Sequence, residues 1–317
     1  MKINERSVVC TLFEGTYHKG LAILLNSLYS SGFEGSFYAG YRGDLPLWAK
    51  TLKENEAVNS RISVHFIALD TRYHLTNYKP DFLLQLLDEL QGTCESIYYL
   101  DPDIVIQAPW SFMEEWVHYG VALCEDLNSP LPEFHPRRMA WRSYFGESGF
   151  NLSFKDAAYV NGGFVGVAQK DFKFIELWKR LQEEMSNVIG GLESANLGKG
   201  KELASSLSSP LAPFSKTDQD ALNATIEAYS GTCSLMGKEA MGFKAGFNIL
   251  PHALGQPKPW DKKFLKTLIF QGRRPGIADK AYWGADHFPV QIYSRSKIYL
   301  KLKEIKLSSF FARFYRS

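Results

Sequence analysis

The sequence predicts an α/β protein with a mostly parallel central sheet flanked by helices. Two observations predict it. Short β-branched, apolar runs alternate with helical patterns over roughly the first 110 residues, the order that builds parallel layers. Hydrophobic residues make up 45% of the 317, enough for a substantial core in one large domain or two modest ones.

The elements follow in order. "SVVCTLF" (7–13) is a first strand. "HKGLAILLNSLYSSG" has apolar residues at helical spacing and ends on Gly32, a helix stop signal. "GSFYAGY" reads as a strand, "LPLWAKTLKEN" as a helix and "RISVHFIAL" as a strand. "KPDFLLQLLDELQG" is an amphipathic helix with an early Asp and a terminal Gly, and the buried strand "SIYYL" follows it. "HYGVALCED" is a further strand, and residues 128–157 are expected to be irregular, rich in aromatic and basic residues. "AAYVNGGFVGVAQ" returns to strand character around a double glycine, and "DFKFIELWKRLQEEMSNVIG" is a strong helix. Residues 190–216 read as loop. "KTDQDALNATIEAY" opens a helix, with Thr217 or Asp218 as its cap. "SLMGKEAMGFKAGFNILP" holds strand-like pieces, and "HALGQPKPWDKKFL" is a loop entering a short helix.

Composition narrows the function classes. A net charge of +2 argues against bulk nucleic-acid affinity. The start "MKINERSVVCTLF" lacks the long apolar segment of a signal peptide, and no apolar run approaches a membrane span. Cys10, Cys94, Cys124 and Cys233 are scattered, which fits neither a disulfide framework nor a zinc site. Together these features lead us to expect a reduced, cytoplasmic protein.

The chemistry concentrates at "SIYYLDPDIVIQAP". Asp101 and Asp103 follow the strand's carboxyl end, where open α/β sheets bind their ligands. Residues two apart on an extended chain point the same way, and two carboxylates so placed repel unless a cation lies between them. A D-x-D triplet is weak by itself: Pro102 also suits a plain turn, and a second triplet occurs at Asp218-Gln219-Asp220. In this setting the metal reading is preferred, because Mg²⁺ or Mn²⁺ needs only one or two carboxylates beside substrate phosphates.

Four signals stand in order: "YYLDPDIVI", "YVNGGFVGV", "TDQDALN" and "HALGQPKPW". Together they resemble glycosyltransferase family 8, the retaining GT-A-fold enzymes that include glycogenins and the lipopolysaccharide galactosyl- and glucosyltransferases. The last signal matches that family's pattern at His252, Gly255, Lys258, Pro259 and Trp260. The resemblance covers roughly residues 7–265. It implies a GT-A catalytic domain over 1–293, with a nucleotide-sugar half to about residue 125 and an acceptor half from about 126.

It also implies roles. His252 joins Asp101 and Asp103 as metal ligands, which favours Mn²⁺ over Mg²⁺ as the cofactor. The metal would bridge the phosphates of a nucleotide-sugar donor. Lys258 adds charge beside that diphosphate, and Gly255 lets backbone approach it. Asn161, Gly162 and Gly163 line the sugar; a glycine pair is also what a strand bulge uses. Asp218 binds sugar hydroxyls, unless it serves only as a helix cap. Gln219 lies near the anomeric carbon, while Asp220 and Asn223 orient the helix. The resemblance implies retention by front-face attack. Uridine is the base expected, with Thr11 and Tyr17 at the base and ribose. The chain departs from the family in two places: Glu14 falls late in the first loop, and Lys79 stands where the family carries an arginine that reaches the sugar-phosphate. Residues 128–157 would form an acceptor lid with Trp141, Tyr144 and Phe145 stacking on sugar, or else pack on the body.

From Ser294 the chain holds seven Lys or Arg against one Glu, interleaved with Tyr299, Leu300, Leu307, Phe310, Phe311, Phe314 and Tyr315. Such a tail suits an anchor on an anionic membrane surface and hence a lipid-linked acceptor, or else a C-terminal helix packed on the domain. Two other functions compete with a glycosyltransferase acting on a saccharide or lipid-linked acceptor. A nucleotidyltransferase would want a Gly-rich basic loop after strand one, which "TLFEGTYHKG" is not. A non-catalytic sugar-nucleotide-binding protein would not need the whole ligand set.

Overall fold

A computed structural model describes residues 6–52, 60–193, 213–285 and 288–311. These form a seven-stranded sheet in the order β3-β2-β1-β4-β6-β5-β7. Its strands are β1 (Ser7–Glu14), β2 (Gly35–Arg42), β3 (Ile62–Ala68), β4 (Ser96–Leu100), β5 (Val121–Glu125), β6 (Val160–Ala168) and β7 (Cys233–Met236). β1 to β4 run parallel, as do β5 and β7. β6 is antiparallel to both its neighbours, with Leu100 opposite Phe164.

Both sheet faces are covered, which is why the strands read as apolar runs rather than alternating ones. On β1, Val8, Cys10 and Leu12 pack into one core with the helices Lys79–Glu89, Pro136–Glu147, Lys173–Ile189 and Thr217–Ala228. Val9 and Phe13 face the other core, under the helices His18–Ser31 and Trp110–Trp116. A third cluster joins Ile23, Val105, Trp260, Tyr282, Trp283 and Ile305. Cys10, Cys94 and Cys124 are buried free thiols, and Cys233 is half-buried and free.

Two expectations are corrected and one open alternative is decided. Residues 128–157 are not wholly irregular, since Pro136–Glu147 is a helix, opened by His135 Nδ1 accepting from the Arg137 N–H at 3.2 Å. Its buried face carries Arg137 and Arg138 beside Trp141 and Phe145, so no clean apolar stripe announces it. Trp141 and Phe145 are fully buried in the core, so the packed alternative describes them and sugar stacking does not. In Thr217–Ala228 neither Thr217 nor Asp218 caps the helix. Asp220 closes the entry instead, its Oδ2 accepting from the Lys216 N–H at 2.9 Å.

The helix Arg295–Phe311 carries much of the expected tail; residues 312–317, with Phe314 and Tyr315, lie outside the described residues. Its Ile305 is buried in the third cluster. No helix among the described residues is long and apolar enough to cross a membrane.

Candidate active site

A cleft of ≈ 320 Å³ opens at the carboxyl edge of β1 and β4. Its geometry follows from the sheet. β4 ends at Leu100, so Asp101 emerges at the edge, where its N–H donates to the Gly163 carbonyl at 2.8 Å. Because β6 runs the opposite way, its first residues, Asn161 to Gly163, lie at this edge. The loop after β4 then pairs with the distant His252: Ile104 bridges His252, and the Ala253 N–H donates to the Asp103 carbonyl at 3.1 Å.

These pairings bring three ligand-type atoms together. His252 Nε2 lies 3.7 Å from Asp101 Oδ2 and 3.2 Å from Asp103 Oδ1. Among the described residues, Asp101, Asp103 and His252 form a cluster whose ligand atoms lie within 4.8 Å of one another. Neighbouring ligands around one cation at about 2.1 Å are about 3 Å apart, so the set fits a single divalent ion. Two oxygens and an imidazole nitrogen suit Mn²⁺. The remaining carboxylate oxygens are already occupied. Asp101 Oδ1 accepts from the Tyr99 hydroxyl at 2.9 Å and lies 3.2 Å from Lys79 Nζ. Asp103 Oδ2 accepts from Lys258 Nζ at 2.5 Å. Each aspartate therefore turns one oxygen to a lysine and the other toward His252, as an outer shell does when it orients metal ligands.

Burial and charge set the ionisation. Burial pushes the Asp103 carboxyl up, but His252 and Lys258 outweigh it and hold Asp103 well below the usual carboxylate range. Burial disfavours the Lys79 ammonium, yet Asp101 and Asp218 more than compensate and raise its pKa. Burial also lifts the Asp218 carboxyl, which Lys79 opposes.

The opposite wall of the cleft is built on β6 and the start of Thr217–Ala228. Lys79 Nζ donates to the Gly162 carbonyl at 2.7 Å and to Asp218 Oδ2 at 3.1 Å. Gln219 Oε1 accepts from the Gly162 N–H at 3.2 Å and from Asn161 Nδ2 at 3.4 Å. Asn161 Nδ2 also donates to Asp126 Oδ2 at 2.7 Å. Asn223 holds the helix to β6 through both the N–H and the carbonyl of Val160, and Asp220 accepts from the Tyr159 hydroxyl. The glycines are there for room. A Cβ on Gly162 would come within 2.9 Å of Asp218 Oδ2, and one on Gly163 within 2.5 Å of His252 Cε1. Gly20 plays the same part under the D-x-D loop, where a Cβ would come within 2.4 Å of the Pro102 carbonyl oxygen and 2.9 Å of the Trp260 ring.

Of the residues singled out by sequence, Tyr17, Lys79, Asp101, Asp103, Asn161, Gly162, Gly163, Asp218, Gln219, His252 and Lys258 line the cleft. Thr11 does not: it is fully buried within β1, too early in the strand to reach the edge. Gly255 does not line it either, but takes a left-handed φ of +69° beside the lining residue Leu254. Glu14, paired to Arg42 at 2.7 Å, does line it. Sequence reasoning missed His74, Leu75, Thr76 and Tyr99. Tyr99 looked like plain strand. The turn Leu75–Tyr78 has no periodicity, and it is placed by Asn77, whose Oδ1 accepts from the Thr217 hydroxyl 140 positions away.

No family model matches the sequence, and no curated protein does. Solved structures do resemble it. WbbM, a bifunctional glycosyltransferase, superposes with a TM-score of 0.56 at 12% identity, over 96% of this chain and 53% of that one. The glycosyltransferase GlyE of Streptococcus pneumoniae TIGR4 gives 0.51 at 14%, over 96% and 64%. An active-site glutamine-to-glutamate mutant of LgtC gives 0.50 at 13%, over 81% and 90%. The chain thus spans only 53% of WbbM and 64% of GlyE. From its sheet order and these likenesses, the chain has the GT-A fold found in glycosyltransferases.

Proposed function

We propose that the protein is a metal-dependent, retaining glycosyltransferase that moves a hexose from a nucleoside-diphosphate sugar to a saccharide or lipid-linked acceptor. One observation carries the reading: Asp101, Asp103 and His252 converge at the carboxyl edge of the sheet, with Lys258 and Lys79 on the outer oxygens. When bound there, Mn²⁺ or Mg²⁺ would supply Lewis-acid stabilisation of the leaving diphosphate. Lys258 adds a fixed positive charge on the same side. Tyr17, whose ring lines the cleft 5.4 Å from Lys258 Nζ, would meet the nucleoside.

Asp218 and Lys79 would bind the sugar, with Asn161 and the two glycines beneath it. Gln219 Oε1 is engaged by two N–H donors, and an amide is a poor nucleophile in any case. This favours front-face transfer. The bond from the anomeric carbon to the diphosphate oxygen breaks, the acceptor oxygen bonds to that carbon on the same face, and its proton passes to the departing phosphate. Gln219 positions the reacting groups. We further read residues to about 125 as the nucleotide half and those from about 126 as the acceptor half. The C-terminal helix is a peripheral anchor at an anionic membrane surface facing the cytoplasm.

The test is nucleoside diphosphate released from a panel of nucleotide-sugars, with and without Mn²⁺, with Asp103→Ala in parallel. Mn²⁺-dependent release from one donor, lost in the variant, is expected. Silence across the panel, with no metal-dependent nucleotide binding, would sink the reading.

A further inference from the structure

We propose that residues 262–274 and the outer face of the helix Arg295–Phe311 form one continuous contact surface for an anionic lipid bilayer. The proposal rests on the anchoring role given above to the C-terminal helix and extends it to an internal segment that begins just after Asp261.

The segment "KKFLKTLIFQGRR" carries Lys262, Lys263, Lys266, Arg273 and Arg274 and no acid. All five are exposed. Phe264 and Leu268 hold its helix, Phe264–Phe270, to the body at 2% and 1% exposure, while Ile269 and Phe270 stand out at 47% and 79%. Lys266 Nζ lies 5.6 Å above the Phe270 ring. An exposed phenylalanine with a lysine over its ring, in a segment of five exposed cations, is unusual for a solvated surface and ordinary for an interfacial one.

This helix packs against Arg295–Phe311, which is what lets one flat surface reach both. On the longer helix, Ile305 and Ser308 face inward at 1% and 7% exposure. At about 100° per residue, Tyr299, Leu300, Leu307 and Phe310 fall on the opposite side. They are 58%, 58%, 61% and 51% exposed. Lys303 shares that side, its Nζ 4.4 Å from the Tyr299 ring. The helix is therefore apolar on two opposed faces, one docked and one turned outward with lysine among it. A bilayer interface receives both components, cations at the headgroups and rings and alkyl groups just below them.

The surface is also tied to the cleft. Ile305 packs in the cluster with Trp260 and Val105, and Val105 lies two residues beyond Asp103. That packing joins the helix to the loop that bears Asp103, an arrangement that suits an acceptor carrying a lipid.

The test uses the full chain and sedimentation with vesicles of phosphatidylcholine, alone or mixed with phosphatidylglycerol. The wild type is expected to bind only the mixed vesicles. Phe270→Ser with Lys266→Gln and Arg274→Gln should lower that partitioning by more than about tenfold. Tyr299→Ser with Leu307→Ser should lower it as well. A fluorophore on Phe270→Cys, in a Cys233→Ser background, should be quenched by brominated lipid chains. Unchanged binding of the segment variant, with an unquenched label and loss only in the helix variant, would overturn the shared surface and leave the anchoring helix standing. Binding lost only in the segment variant would overturn it too, because both halves are required. Absence of wild-type binding would overturn both membrane statements, and donor hydrolysis, measured without vesicles, would still report separately on the transferase reading.

Discussion

Gly163 lies close against the ring of His252: a Cβ at Gly163 would stand 2.5 Å from Cε1 and 2.9 Å from Nδ1. The "NGG" motif and the "HALG" motif, 89 positions apart by residue number, are thus two halves of one contact. Gly163→Ala should push the imidazole away from Asp101 and Asp103. We expect Mn²⁺ affinity, followed by electron paramagnetic resonance titration, to fall by more than about tenfold. Gly162→Ala presses on Asp218 instead and should leave Mn²⁺ affinity within a few-fold of wild type. Equal effects from the two variants would refute the division of roles.

Lys79 neutralises two carboxylates at once, 3.2 Å from Asp101 Oδ1 and 3.1 Å from Asp218 Oδ2, and is 2% exposed. Lys79→Met removes the cation and leaves buried acids without it. Urea unfolding at neutral pH should show a loss of about 3–5 kcal/mol. A loss below about 1 kcal/mol would mean that the acids are neutralised by other groups.

Asp220 carries a pH signature. Burial, opposed by Arg137, raises its carboxyl to about 7. Its pKa is higher folded than unfolded, so the folded protein holds the extra proton between these values. Its contribution to stability is full at acid pH and is lost as pH rises toward about 7. Asp220→Asn should flatten the fall in unfolding free energy between mildly acidic and mildly alkaline buffer. It should also lower stability throughout, because the Asn amide would face the Lys216 N–H that Oδ2 now accepts. An unaltered slope in the variant would remove Asp220 from the pH response.

Trp141 is fully buried, with its ring 6.2 Å from that of Tyr159 and its Nε1–H donating to the Pro213 carbonyl. Trp141→Ala should cost about 3–5 kcal/mol in chemical denaturation. A folded variant of near wild-type stability that had lost only acceptor affinity would restore the sugar-stacking role.

Legibility in the sequence followed locality. The first four strands and the helices His18–Ser31, Lys79–Glu89 and Lys173–Ile189 were readable because each side chain's neighbours are set by its own period. Pro136–Glu147 was hidden because its inward face is partly arginine. Arg138 donates to the Leu131 and Ala158 carbonyls and pairs with the buried Glu227 at 2.5 Å. An ion pair that replaces apolar burial leaves no hydrophobic period to detect. His74 and Thr76 were invisible for a similar reason, since the segment they belong to is positioned by Asn77 and its distant partners.

By itself the sequence determined the α/β alternation, the aspartates at the end of β4, and a set of motifs whose residue types suit metal, diphosphate and sugar. Those are properties of short segments, governed by backbone period and side-chain chemistry. Only the tertiary structure decided which atoms meet. The reversed direction of β6 carries Asn161–Gly163 to the edge where Asp101 emerges. Lys258 reaches Asp103 across 155 positions, and Lys79 reaches Asp218 across 139. Such pairings depend on strand order and on the packing of helices over the sheet, and no local pattern records them.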